Sequence, residues 1–123
     1  QAYTFIKAMD LAYAVADVIV SRAGAIAISE LCCVGKPAIL VPSPNVSENH
    51  QFKNAQSLVN KKAALLVEDW EASCKLVEVL INLVNNDDLQ YSLSSNIRKI
   101  GIIDAAEKIV DVALALKNEF KKI

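Results

Sequence analysis

At 123 residues with a formal net charge of −1, the chain is the size of one domain and offers no field to attract nucleic acid or an anionic membrane. Hydrophobic residues make up 54% of it and mean hydropathy is +0.31. Asp17, Arg22, Glu30 and Lys36 nevertheless break the most apolar region well short of the roughly 18 residues of a membrane span. The N-terminus has no basic stretch followed by an apolar one, so no signal peptide is expected. The apolar richness fits strands buried on both faces, as in a parallel sheet. Cys32, Cys33 and Cys74 are odd in number and lack CxxC spacing, which favours reduced thiols in a cytoplasmic protein over a metal site.

In chain order, residues 3–6 predict the tail of a strand and residues 7–16 a short alanine-rich helix. Residues 17–20 form a β-branched strand, residues 21–24 its turn, and residues 25–34 a helix stopped by Gly35 ahead of Pro37. Residues 38–41 predict the next strand and residues 42–49 one long loop. A helix over 49–60 and a strand over 63–67 follow. Residues 70–85, 89–101 and 104–122 predict three successive helices, the last opened by Asp104-Ala-Ala-Glu107 as an acidic capping box. Strands alternating with helices imply an α/β domain with a parallel sheet. Three strands and a stub make a small sheet with poorly covered edges, so the chain is expected to be the C-terminal piece of something larger. The Lys117, Lys121 and Lys122 cluster predicts a solvated helix face.

Ligands of open α/β sheets bind at the carboxyl ends of the strands, and two segments converge there. In "SRAGA" (residues 21–25), a small-residue turn leaves the first N–H groups of the following helix unpaired, a setting that suits a phosphate. Gly24 allows close backbone approach. Arg22 either adds charge to the site or pairs with a neighbouring carboxylate. Glu30 shares a helix stripe with Ala23 and Ala27, and a carboxylate there can accept from the vicinal hydroxyls of a ribose; the competing reading is a solvated or ion-paired glutamate. In "SENHQFKNAQ" (residues 47–56), Gln51 and Asn54 are neighbours three apart near a helix start. Their amides match sugar hydroxyls, or else serve local capping. His50, the single histidine, excludes a histidine metal cluster and reads as a binding or structural residue rather than a base.

The segments "DLAYAVADVIVSRAGAIAISEL", "GKPAILVP", "HQFKNA" and "DAAEKIVD", in this order, resemble the C-terminal domain of MurG-type glycosyltransferases. The resemblance runs from "FIKAMDLAY" onward. It implies a three-layer, Rossmann-like parallel-sheet domain, part of the C-terminal half of a GT-B enzyme that moves N-acetylglucosamine from UDP-GlcNAc to lipid-linked muramyl-pentapeptide in peptidoglycan synthesis. It places Arg22, Ala23, Gly24, Ala25 and Ile26 against the nucleotide and its diphosphate, Glu30 on the ribose, and His50, Gln51 and Asn54 by the sugar. Ala23 stands where some members carry serine, so its part is through the backbone alone. No metal or other cofactor is expected, and no catalytic residue is assigned.

The resemblance also implies that residues 1–123 are a partial donor-binding domain, inactive alone, with an acceptor domain elsewhere that meets the lipid-linked acceptor and the membrane. The full enzyme is expected on the cytoplasmic face of the bacterial inner membrane. Rival readings are another UDP-sugar transferase such as a diacylglycerol glycosyltransferase, a free-standing donor subunit as in the dolichol pathway, and a non-catalytic α/β interaction module.

Overall fold

The computed structural model describes residues 15–45 and 50–121. The strand stub and nearly all of the helix expected before residue 17 lie outside these residues, as do positions 46–49 of the long loop.

Strand β1 (Ile19–Ser21) leads into helix α1 (Ala25–Val34), strand β2 (Ala38–Leu40), helix α2 (His50–Asn60) and strand β3 (Leu65–Leu66). Helices α3 (Asp69–Val84) and α4 (Asp87–Lys121) complete the order. The sheet runs β1-β2-β3 and is parallel throughout, with Ile19 opposite Ala38 and Ile39 opposite Leu65. β1 begins two residues later than expected because the ladder opens with the Ile19 N–H donating to the Pro37 carbonyl, at 2.9 Å. β3 is shorter than the expected 63–67, although the Val67 N–H still reaches the Leu40 carbonyl at 2.9 Å.

Strand alternation divides the core into two. Ala38 and Leu40 of β2 face a cluster with Leu31 of α1, Ala55 and Leu58 of α2, and Ile97 of α4. Ile39 and the adjoining Val41 face the other way, toward Leu83 of α3 and Leu93 of α4. All three β2 residues are fully buried, which is why this strand reads as an unbroken apolar run. Helices therefore cover both sheet faces, and the expected three layers are present.

α1 occupies the expected residues, and its end has a conformational cause. Gly35 adopts a left-handed φ of 71°, its N–H bonds the Leu31 carbonyl at 3.0 Å, and its own carbonyl accepts the Ser94 hydroxyl. The two adjacent cysteines of α1 split as helix geometry requires, Cys32 buried and Cys33 exposed; both are free, as is Cys74. Burial, with Asp104 and Cys33 nearby, pushes the Cys32 thiol up, away from the reactive thiolate.

One expectation is overturned. Residues 87–121 form a single helix, not two, and Asp104 and Glu107 lie inside it rather than capping a new one. Gly101 ended the first expected helix, yet here it is a crossing point. A β-carbon on Gly101 would sit 2.5 Å from the Cys32 carbonyl oxygen, so the glycine lets α4 pass close over α1. Beyond it α4 is exposed through residue 119, Ile102, Ile109, Val110 and Leu116 included, and Lys117 and Lys121 are solvated as expected.

Candidate functional site

The carboxyl ends of all three strands meet at one edge. After β1, the chain passes through Arg22, Ala23 and Gly24 into α1. Gly24 has an ordinary extended conformation (φ −66°, ψ 156°), and a β-carbon there would meet only the Gln51 amide, at 3.7 Å. Neither strain nor crowding requires the glycine. Its value is that no side chain shields the helix end. The Ile28 N–H bonds the Gly24 carbonyl at 2.9 Å, so helical bonding begins there and the N–H groups of Ala25, Ile26 and Ala27 precede it. No side chain caps this end, and the first turn holds no acid. Ala25 and Ile26 are exposed, Ile26 by 79%.

The turn is locked from α2. Gln51 and Asn54 lie on one face of that helix, as their spacing predicts, and both address the buried Ala23. The Gln51 Oε1 accepts the Ala23 N–H at 3.3 Å, and the Asn54 Nδ2 donates to the Ala23 carbonyl at 3.2 Å. The same Gln51 oxygen accepts the Ser43 N–H at 2.8 Å, tying in the loop after β2. These amides thus hold a backbone segment 28 and 31 residues away rather than capping their own helix. Each amide has a second end with the opposite hydrogen-bonding character, which is what a hydroxyl-bearing ligand needs.

Arg22 also realises the pairing alternative. Its Nη1 lies 2.5 Å from the Asp69 Oδ1 and 3.4 and 3.5 Å from the carbonyls of Val41 and Pro42. It thus links the ends of β1 and β2 to the start of α3. Glu30 and His50 are exposed, Glu30 in the second half of α1 and His50 at the first position of α2. Ala23, Gly24, Gln51 and Asn54 are brought together, with Ala25 and Ile26 next in chain. Arg22 is turned toward α3.

Two features of this edge were not singled out from the sequence. Asp69 is the partner of Arg22, at the first position of α3. Beside it, a cleft of about 250 Å³ is lined by Pro42, Ser43, Asn45, Phe52, Glu68 and Trp70 among others. The visible signal was Trp70, the only tryptophan, set in the acidic run "EDWE" just after a strand. Among the described residues, no group of three or more His, Cys, Asp or Glu is placed to hold a metal ion, and no helix is long and apolar enough to cross a membrane.

A parallel sheet covered by helices on both faces, with its candidate site at the strands' carboxyl ends, defines a Rossmann-like α/β domain. The chain belongs to the glycosyltransferase family 28 C-terminal domain family, whose model matches residues 1–110. A protein of Cytophaga hutchinsonii named UDP-N-acetylglucosamine--N-acetylmuramyl-(pentapeptide) pyrophosphoryl-undecaprenol N-acetylglucosamine transferase is 52% identical over 118 residues, 96% of this chain and 32% of its own length. Its namesake in Porphyromonas gingivalis is 53% identical over 116 residues, 94% of this chain and 31% of the other. The crystal structure of Acinetobacter baumannii MurG matches with a TM-score of 0.71 and 30% identity, covering 80% of this chain and 28% of that one. The chain thus spans about a third of the length of the curated relatives it matches.

Proposed function

We propose that this chain is the UDP-GlcNAc-binding part of an inverting N-acetylglucosaminyltransferase that glycosylates lipid-linked muramyl-pentapeptide in peptidoglycan synthesis. The observation that carries the reading is the α1 N-terminus, without side-chain cap or acid, held against the strand ends by Gln51 and Asn54. The names of the relatives supply the substrate class.

On this reading the diphosphate rests on the N–H groups of Ala25 and Ile26, reached across Gly24 and the Ala23 peptide, and Arg22 adds positive charge from the neighbouring strand end. Glu30 accepts from the ribose hydroxyls. The Gln51 and Asn54 amides, with His50 beside them, take the hydroxyls of the N-acetylglucosamine. The acceptor hydroxyl attacks the anomeric carbon, the bond from that carbon to the diphosphate oxygen breaks with inversion, and UDP departs with the electron pair. A helix end fixed before the reaction stabilises that growing charge without reorganising. The proton goes to a base supplied outside this chain. The acceptor domain of the whole enzyme binds the lipid-linked substrate and associates with the membrane.

Calorimetric titration of the full-length protein with UDP, UDP-GlcNAc and UDP-glucose tests this. The expected result is saturable binding of all three, with UDP-GlcNAc preferred over UDP-glucose and the preference reduced in Asn54→Ala. Absence of UDP binding by the folded protein would overturn the reading.

A further inference from the structure

The cleft beside Asp69 combines aromatic rings with an acid that has no counter-ion. Phe52 and Trp70 border it, exposed by 40% and 78%, and Pro42 and Pro44 add rigid apolar surface. A tryptophan so exposed contributes little to the core, yet its ring is held, because the indole N–H donates to the Glu68 Oε2 at 2.6 Å. Three carboxylates gather at this end of α3: Glu68, Asp69 and Glu71. Asp69 is paired with Arg22 and Glu71 with Lys75, whereas Glu68 has no ion pair among the described residues. The indole it accepts from is neutral, so a half-buried carboxylate keeps its charge beside an exposed ring. The α3 N-terminus offsets that charge only in part, by roughly half a unit at most.

We infer that this cleft is a docking site for one cationic side chain, a lysine presented by a partner polypeptide. Four observations choose this occupant. First, a single unpaired acid calls for a monovalent cation, and among the described residues no group of three or more His, Cys, Asp or Glu is placed to hold a metal ion. Second, the walls are aromatic. A cation within about 6 Å of a ring centre is drawn to the ring's negative face. A hydrogen bond from the indole N–H to a carboxylate leaves that face richer in electrons. The apolar stem of a lysine can lie on proline and phenyl surface while its ammonium donates to Glu68. Third, one Glu68 oxygen already accepts the indole N–H, so the two-point fork of an arginine lacks a matching pair of free oxygens and a point charge fits better. Fourth, the cleft holds about 250 Å³, below the roughly 300–1,000 Å³ of sites that enclose a whole small molecule. It has room for a side chain, and the rest of the occupant lies outside it.

The test uses full-length protein isotope-labelled at its tryptophans, with the Trp70 indole resonance assigned by its loss in Trp70→Phe. A tripeptide, acetyl-Gly-Lys-Gly-amide, is titrated alongside its norleucine analogue, which keeps the stem and lacks the charge. Expected is a saturable shift with the lysine peptide, half-complete at millimolar concentration, and at least a roughly threefold weaker affinity for the norleucine peptide. Glu68→Gln, whose amide oxygen can still accept the indole N–H, should weaken the lysine peptide about three- to tenfold, and added salt should weaken it on wild type. No shift with the lysine peptide, or equal affinity for the two peptides, overturns the inference. Glu68 also occupies the N-cap of α3, so the peptide comparison on wild type decides the matter even where the variant folds poorly. None of these readouts depends on transfer activity, so the inference stands or falls apart from the transferase reading.

Discussion

Helices α1 and α3 start at the same edge of the same sheet, each directly after a strand, and their first turns are opposites. α1 begins with Ala25, Ile26 and Ala27, uncapped and without charge. α3 begins with Asp69, Trp70 and Glu71, and Glu71 reaches back to accept the Glu68 N–H at 3.3 Å, the returning half of a capping box. The positive end of α3 is thus answered by its own carboxylates, whereas that of α1 is left for something from outside. One edge therefore carries an anion-accepting end and an anion-refusing end, bridged by the Arg22–Asp69 pair. On the proposed reading, the difference puts the diphosphate over α1 rather than beside α3.

The sharpest way to break the comparison is to unlock the α1 turn. Gln51→Ala leaves the N–H groups of the buried Ala23 and the half-buried Ser43 without their shared acceptor. An unsatisfied buried donor costs about 1–3 kcal/mol, so urea denaturation should show a loss in that range, with weaker UDP binding alongside. Full stability in this variant would mean that the turn is held by other means. A smaller change makes α1 resemble α3. Ala25→Glu places an acid in the first turn, where it should leave stability unchanged or raise it by about 0.3–1 kcal/mol through the helix dipole. UDP affinity, read by calorimetry, should fall about tenfold or more, since the carboxylate takes the place of the diphosphate. Opposite signs for stability and binding are the signature to look for.

Most of this arrangement was legible in the sequence where local signals and tertiary demands agree. The α1 boundaries followed from a small-residue turn at one end and Gly35 at the other, and the structure gives Gly35 the left-handed φ that its position implied. The long α4 was not legible, because Gly101 and the Asp104–Glu107 pattern carry local stop and start signals that packing overrides. A glycine needed for clearance against the Cys32 carbonyl looks in sequence like one that ends a helix. In the site, spacing alone put Gln51 and Asn54 on one face, but only the fold shows that face directed at Ala23. The Arg22–Asp69 pair joins residues 47 apart, and the Trp70 cleft joins the loop after β2, helix α2 and the start of α3; contacts of that span leave no periodicity to read.

The bridge between the two helix ends is the next place to intervene. Asp69→Asn removes the charge that holds Arg22 but keeps the shape of the side chain. The pair is exposed, with side-chain accessibilities of 56% and 34%, so its contribution to stability is screened and should not exceed about 1 kcal/mol. Carbonyl contacts to Val41 and Pro42 remain to Arg22. The expected gain is in binding. With its carboxylate partner gone, the guanidinium is released toward the α1 edge, and UDP affinity should rise a few-fold at low salt and converge with wild type as salt increases. Unchanged affinity at every ionic strength would place Arg22 outside the nucleotide site and leave it a purely structural link.

The smallest effect concerns the α3 end alone and is read by pH. Lys75, whose Nζ is 3.1 Å from the Glu71 carboxylate, and the Glu68 N–H together hold the Glu71 carboxyl below its ordinary value. The sign follows directly. A group whose folded value is depressed contributes stability that is fully present above its unfolded value and is lost as pH falls through the folded one. Glu71→Gln keeps the size of the side chain and removes the titration, so the melting temperature of the variant should lie slightly below wild type at neutral pH. The two curves should converge in acid, below the ordinary carboxylate range, and UDP affinity should not change at any pH. A constant gap down to the most acidic conditions would show that Glu71 acts through its shape and its backbone hydrogen bond rather than its charge. That outcome would weaken the view that α3 answers its own dipole with carboxylates, while the uncapped state of α1 would stand unaffected.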